Sequence, residues 1–224
     1  MPRAPRVDVG NQIYHVINRA NARHTIFETI ADYRHFESLL IEALARSQMR
    51  LIAYVIMPNH WHLVLHPTAD GDLSRFMQWL TLTHTQQLRA RTETIGYGHL
   101  YQGRYKSFLV DTDMYLAALI KYVERNPVRA KLVAKVEDWR WGSGHHRLNS
   151  AAEGKRILAD PLIDLPENYR AWINESDKED DIKNIQHSII KSRPFGSASW
   201  ADRIIERYNL IRTTRERGRP RKGT

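Results

Sequence analysis

RLIAYVIMPNHWHLVLH, residues 50–66, breaks into two β-forming runs at Pro58-Asn59. The runs 50–57 (RLIAYVIM) and 60–66 (HWHLVLH) are rich in β-branched and aromatic residues, and a Pro-Asn pair punctuates a tight turn. The spacing therefore predicts a β-hairpin with a two-residue loop. Along a strand, residues two apart share a face. Trp61, Leu63 and Leu65 point one way and mark a core side, while His60, His62 and His66 point the other.

Working outward, residues 11–19 (NQIYHVINR) alternate like a strand, and residues 31–47 carry Phe36, Leu39, Leu40, Ala43 and Leu44 at helical spacing. A second amphipathic helix is expected over 72–91, with Leu73, Phe76, Met77, Leu80 and Leu88 on one side. A turn-rich link around Gly96–Gly103 leads to a strand at 104–111. A third helix then starts near Thr112 or Asp113, both good N-cap residues, and runs into Asn126-Pro127. The order strand, helix, hairpin, helix, strand, helix suits an α+β fold: an antiparallel sheet of ferredoxin-like type with packed helices. From about residue 150 the texture becomes polar, with helices expected near 180–191 and 199–208 around the break Arg193-Pro194-Phe195-Gly196. We therefore expect a domain over 1–149, a helical extension over 150–211 and a mobile basic tail over 212–224.

Composition narrows the chemistry. The 224 residues include no cysteine, so thiolate metal sites, disulfides and a cysteine nucleophile are excluded. A metal site must come from His, Asn, Gln, Asp or Glu. No apolar run approaches the ~20 residues that span a bilayer, and the N-terminus lacks the apolar stretch of a secretory signal, so a cytoplasmic, nucleoid-associated protein without membrane contact is expected. The net charge of +9 points to a polyanion partner, and nucleic acid fits best. The excess is concentrated in residues 212–222 (RTTRERGRPRK), whereas 175–181 is acid-rich.

Two imidazoles side by side on a rigid strand, His60 and His62, can grip a divalent ion and leave positions open for substrate oxygens. A lone His-x-His is more often just the polar side of a half-buried strand. Tyr122 and Asn126 add weight, because four residues apart on a helix they share one face. Pro127 should end or kink that helix and free the Asn126 amide. Asn offers a neutral oxygen suited to Mg²⁺ or Mn²⁺. Tyr offers a phenol whose pKa, ordinarily about 10, falls beside a cation. Tyr115, two turns earlier on the same face, is the rival nucleophile.

Four segments, YHVINRANARHTIF (14–27), YVIMPNHWHLVLHP (54–67), HLYQGRYKSFLVD (99–111) and YVERNPVRAKLV (122–133), occur in this order. Through them the chain, over about residues 8–147, resembles the REP-associated tyrosine transposases of the HUH single-strand transposase family. The resemblance implies metal ligands at His60, His62 and Asn126, where many relatives outside this subgroup carry Gln, and a nucleophile at Tyr122. It implies a divalent metal, Mg²⁺ or Mn²⁺, and cleavage of single-stranded DNA at hairpins such as repetitive extragenic palindromes through a 5′-phosphotyrosine link. Relatives include dimers that share sites in trans as well as compact monomers, so a homodimer is one expectation.

Gln102-Gly103-Arg104-Tyr105-Lys106 interleaves cations and aromatics as a single-strand groove does. Arg19 and Arg23 are similar candidates for contacting DNA. Arg129 and Lys131 could meet phosphate or be solvated. In the tail, Arg217, Arg219 and Arg221 surround a Gly-Arg-Pro core of AT-hook type, suited to the minor groove of A·T-rich duplex. Two other readings stand beside the transposase: a non-catalytic single-stranded nucleic-acid binding module, and a metal nuclease that uses water and forms no adduct.

Overall fold

The computed structural model describes residues 6–96, 98–149 and 157–215. Four strands, β1 (Ile13–Arg19), β2 (Arg50–Met57), β3 (His60–His66) and β4 (Lys106–Val110), form one antiparallel sheet in the order β2-β3-β1-β4. With helices α1 (Ile30–Ala45) and α2 (Asp72–Arg91) in the crossovers, this is the α+β arrangement expected. The hairpin is as tight as Pro58-Asn59 predicts: Met57 pairs directly with His60. Its loop is also anchored, because the Pro58 carbonyl accepts from the amides of Ile26 and Phe27 and the Asn59 carbonyl from that of Ala20. Thr29 starts α1 with a reciprocal capping box, its hydroxyl accepting from the Asp32 amide while the Asp32 carboxylate accepts from the Thr29 amide.

Trp61, Leu63 and Leu65 do face a core, shared with Tyr14, Val16, Phe36, Leu40, Phe76 and Leu80 beneath α1 and α2. The histidine face is also covered. There α3 (Met114–Glu124) lays Leu116, Leu119, Ile120 and Val123 over Ile13, Val55, Val64 and Phe108, so the sheet is buried on both sides. A large apolar side chain buried in this way contributes about 1.5–3 kcal/mol.

Asp113 sits at the N-cap of α3 but makes no side-chain cap bond, and its φ of 57° is in the left-handed region. The preceding turn is held by Asp111 instead, which accepts from the amides of Thr112 and Ser197. The break expected at Asn126-Pro127 falls at Arg125, after which a short helix α4 (Asn126–Arg129) begins.

Beyond α5 (Ser143–Leu148), α6 (Tyr169–Asn174), α7 (Glu179–Lys191) and α8 (Ala198–Arg207) follow, the last two spanning the segments the sequence marks as helical. These later residues pack into both cores: Ile185 and Phe195 on the α3 side, Ile204, Ile205 and Leu210 on the other. Phe195 also bridges to Val110 along the β4 edge, and Gly142, just before α5, bridges to Val55 along the β2 edge.

Candidate active site

The strand register assembles the site. Ile17 of β1 lies opposite His62 of β3 on one side and opposite Lys106 of β4 on the other, and Arg19 lies opposite His60. Residues directly opposite in a sheet share a face. His60, His62, Arg19, Ile17 and Lys106 thus crowd one end of one face. The C-terminal end of α3 and the start of α4 sit over it, placing Tyr122 and Asn126 above the histidines.

The two imidazole rings are 5.1 Å apart between centroids, and the Tyr122 ring stands edge-on to His62 at 6.0 Å. His62 is 2 % exposed and Tyr122 7 %. The Asn126 amide nitrogen donates to His62 Nε2 across 3.1 Å. With that nitrogen accepting, His62 carries its proton on Nδ1 and donates to Nε2 of His15, 2.8 Å away. His60 is fixed likewise: its Nδ1 lies 2.7 Å from the Asn59 side-chain oxygen, and Asn59 is oriented by its own amide nitrogen donating to the Arg23 carbonyl. Both histidines therefore have Nδ1 engaged and Nε2 on the side of Asn126. That is how imidazoles are prepared as metal ligands, with the other ring nitrogen bonded behind them. Among the described residues no cluster of three or more His, Asp or Glu forms a metal site, so the donor set here is two imidazoles and one amide.

Burial, and then the nearby Arg19, pushes His60 down to about 4. Burial pushes His15 down to about 3, and burial with the neighbouring histidines and arginines holds His62 well below the usual imidazole range. All three rings are neutral at neutral pH, with lone pairs that protons do not occupy. The Tyr122 phenol is raised above its ordinary value, not lowered as its cationic neighbours alone would make it: burial dominates, and Arg129 and Arg19 offset only part of the rise.

The Arg129 guanidinium lies 4.1 Å from the centre of the Tyr122 ring and donates to the Tyr122 carbonyl. It is held by Asp177, which also accepts from Arg125 at 2.9 Å. Two guanidinium groups on one carboxylate leave one positive charge in excess beside the phenol.

Arg23 is exposed in the short 3₁₀ turn Asn21–Arg23. Gln102, Arg104, Tyr105, Lys106 and Arg19 line a common groove along β4. Arg217, Arg219 and Arg221 lie outside the described residues. Tyr115 is elsewhere, against Phe195 at 5.3 Å, and His66 is at the far end of β3 opposite Arg50.

Sequence reasoning missed three participants. His15 was legible as a polar residue between Ile13 and Ile17 on a buried strand face. Asn59 reads in the sequence only as a turn residue. Asp177 gave no signal at all, being 52 residues beyond Arg125.

The chain thus carries a His-x-His pair on an antiparallel sheet beneath a helical tyrosine. The model of the IS200-like transposase family matches residues 8–126, and the chain belongs to that family. Transposases act on DNA by strand transfer. A Haemophilus influenzae protein described as a candidate REP-associated tyrosine transposase is 26 % identical over 125 residues, 52 % of this chain and 71 % of that one. The solved structure of a REP-associated tyrosine transposase bound to a REP hairpin matches with a TM-score of 0.56 at 17 % identity, over 74 % of this chain and 95 % of the other, a likeness of fold. The resemblance read from the four sequence segments is thus borne out. No helix among the described residues is long and apolar enough to cross a membrane.

Proposed function

We propose that the protein is a metal-dependent single-stranded DNA endonuclease and strand transferase that cuts at REP-type hairpins through Tyr122. The observation that carries this reading is the convergence of His60, His62 and Asn126 beneath Tyr122, both imidazoles having Nδ1 already bonded. The hairpin enters by analogy with the structural relative that binds one.

His60 and His62 would hold the ion, with Asn126 beside them. The two neutral imidazole nitrogens suit Mg²⁺ or Mn²⁺, and Asn126, whose amide nitrogen donates to His62 Nε2, would offer its hard oxygen to the ion with the amide turned over. When bound, such an ion stabilises charge on the scissile phosphate and on the leaving oxygen. The remaining work belongs to side chains. Tyr122 Oη bonds to phosphorus as the bond from phosphorus to the 3′-oxygen breaks, giving a 5′-phosphotyrosine and a free 3′-hydroxyl. The phenol gives up its proton, and the departing 3′-oxygen acquires one. Arg129 and Arg19 stabilise the phenolate. Because the diester bond is exchanged rather than hydrolysed, rejoining needs no nucleotide cofactor. Arg19, Arg23, Gln102, Arg104, Tyr105 and Lys106 would hold the DNA, assisted by Arg217, Arg219 and Arg221.

The test is a 3′-labelled REP-type hairpin with single-stranded flanks, incubated with the protein and Mg²⁺ or Mn²⁺ and resolved on a denaturing gel. A labelled band at the mass of protein plus DNA is expected, lost in Tyr122→Phe while DNA binding is kept. Cleavage without an adduct would replace Tyr122 by water as nucleophile. Binding with neither would reduce the protein to a single-strand binding module.

A further inference from the structure

At the end of α3 away from Tyr122, a cleft of about 650 Å³ separates the first turns of the helix from the segment that leads into α6. Met114, Leu162 and Trp172 give it an apolar surface, and Asp113 and Asp164 also line it. That surface is open to solvent: Met114 is 71 % exposed and Leu162 39 %. The wall opposite α3 is fixed in place by its neighbours. Just before it the Ala159 amide donates to the Leu51 carbonyl at 2.8 Å. Ile163 and Leu165 pack against the core beneath α3, leaving Leu162 and Asp164 exposed. Pro161 and Pro166 restrict the backbone at either end.

The charge of the cleft is opposite to that of the chain. In a protein of net charge +9, the charged residues that line it among those described are both acids. Residues 157–168 add Asp160 and Glu167 and contain no Lys or Arg. Neither Asp113 nor Asp164 has a hydrogen bond or ion pair from its carboxylate among the described residues. The cation that touches Trp172 is Lys121, with Nζ 5.2 Å from the ring centre, but it is paired with Glu175 at 4.0 Å and does not line the cleft. Asp113 also stands at φ 57° and ψ −123°, a conformation suited to glycine that costs another residue about 1–3 kcal/mol. No bond of its carboxylate within the described chain offsets that cost, whereas a cation from outside would stabilise the carboxylate where it stands.

We propose that this cleft docks a cationic linear segment of a partner protein, with Arg or Lys side chains on Asp113 and Asp164 and an apolar side chain between them against Met114, Leu162 and Trp172. The sign of the charge selects the partner. Two unpaired carboxylates repel DNA phosphates and anionic lipid and attract a polycationic chain. The apolar surface selects further, because a cation alone would leave it in water. Trp and Met are enriched where protein partners meet, and Met adapts to anchors of different shape. The position leaves the histidine end free. At 1.5 Å per residue, Met114 lies about 12 Å along α3 from Tyr122, so a partner segment and DNA can be held at once. This inference stands apart from the DNA chemistry proposed above, and Leu162, Asp164 and Trp172 lie beyond the residues of the family match.

The experiment is selection of a random twelve-residue peptide library, displayed on phage, against the immobilised full chain. The recovered peptides should be net positive and carry at least one large apolar residue. The strongest of them, made with a fluorescent label, is then titrated by anisotropy with wild type and with Met114→Lys/Asp164→Lys. Both positions are exposed, so the double variant should melt with wild type and bind the peptide at least ten-fold more weakly. If it melts lower, Leu162→Glu, at an exposed position off α3, decides the matter by the same ten-fold criterion. An oligolysine of equal length should bind wild type at least ten-fold more weakly than the selected peptide. Recovery of no peptide, recovery of acidic or uncharged ones, or equal binding by wild type and the deciding variant overturns the proposal. Equal binding of oligolysine also overturns it, because the cleft would then be a general acidic patch. Adduct formation on the hairpin, read in parallel, is expected to be the same in wild type and variant, so the fate of the Tyr122 chemistry is decided separately.

Discussion

His15 illustrates how a single side chain can prepare a site without touching what the site binds. Its Nε2 accepts the proton carried on Nδ1 of His62, which leaves His62 Nε2 as the lone-pair nitrogen. Replacing His15 by Phe keeps ring bulk against Phe108, with which His15 packs at 4.8 Å, but deletes the acceptor. We expect Mn²⁺ to bind about 10–100-fold more weakly to that variant, the usual effect of losing a bond behind a ligating histidine. His15→Gln, which retains an acceptor, should recover part of the loss. Calorimetric titration with Mn²⁺ checks both variants, and equal affinity across the three proteins would show that His15 is packing alone.

At the scale of elements, the junction between α3, α4 and the extension is where site and scaffold meet. Arg125 also donates to the Ile173 carbonyl at 2.9 Å, so α3, α6 and Asp177 are joined through one mostly buried guanidinium. Removing the carboxylate leaves that charge without its partner, and breaking a buried pair in this way costs about 3–5 kcal/mol. Asp177→Ala should lower stability toward that range in urea unfolding. It should also slow adduct formation, because Arg129 loses its tether beside Tyr122. Unchanged urea midpoints would mean that the extension does not brace the nucleophile's helix.

The elements also show how far local sequence reasoning reaches. The hairpin, α1, α2 and α7 were legible because periodicity and turn chemistry act over a few residues. The uncapped start of α3 was not, because Thr112 and Asp113 satisfy every local rule for a cap. Asp111 prevails through a contact with Ser197, 86 residues away.

Over the whole molecule, both sheet faces are buried, and several histidines are neutral because of it. His84 is pushed down to about 3 by burial, its Nδ1 lying 2.7 Å from the Tyr101 hydroxyl, and His15 and His60 are depressed to about 3 and about 4. A group whose folded pKa lies below its unfolded value of about 6.5 is protonated first in the unfolded chain. The stability these residues contribute is therefore present above pH 6.5 and is lost as pH falls from there toward 4, at about 1.4 kcal/mol per pH unit for each histidine. Thermal melts from pH 7.5 to 4.5 should show a falling Tm below 6.5, and His84→Gln should flatten that fall. A Tm independent of pH would mean that these rings are not held neutral by the fold.

The sequence alone determined the strand and helix order, the α+β class, the pairing of His60 with His62 on one strand face and of Tyr122 with Asn126 along one helix face. Each follows from backbone periods of 2.0 and 3.6 residues, which are properties of neighbouring residues. Only the tertiary structure decided that the histidine face is a second core, that His15 backs His62, that Asp177 restrains Arg129 beside Tyr122, and that residues 161–164 wall an apolar cleft beside α3. These depend on which distant segments meet. Strand register and helix packing settle that through the burial of surface over the whole chain, and no local pattern encodes it.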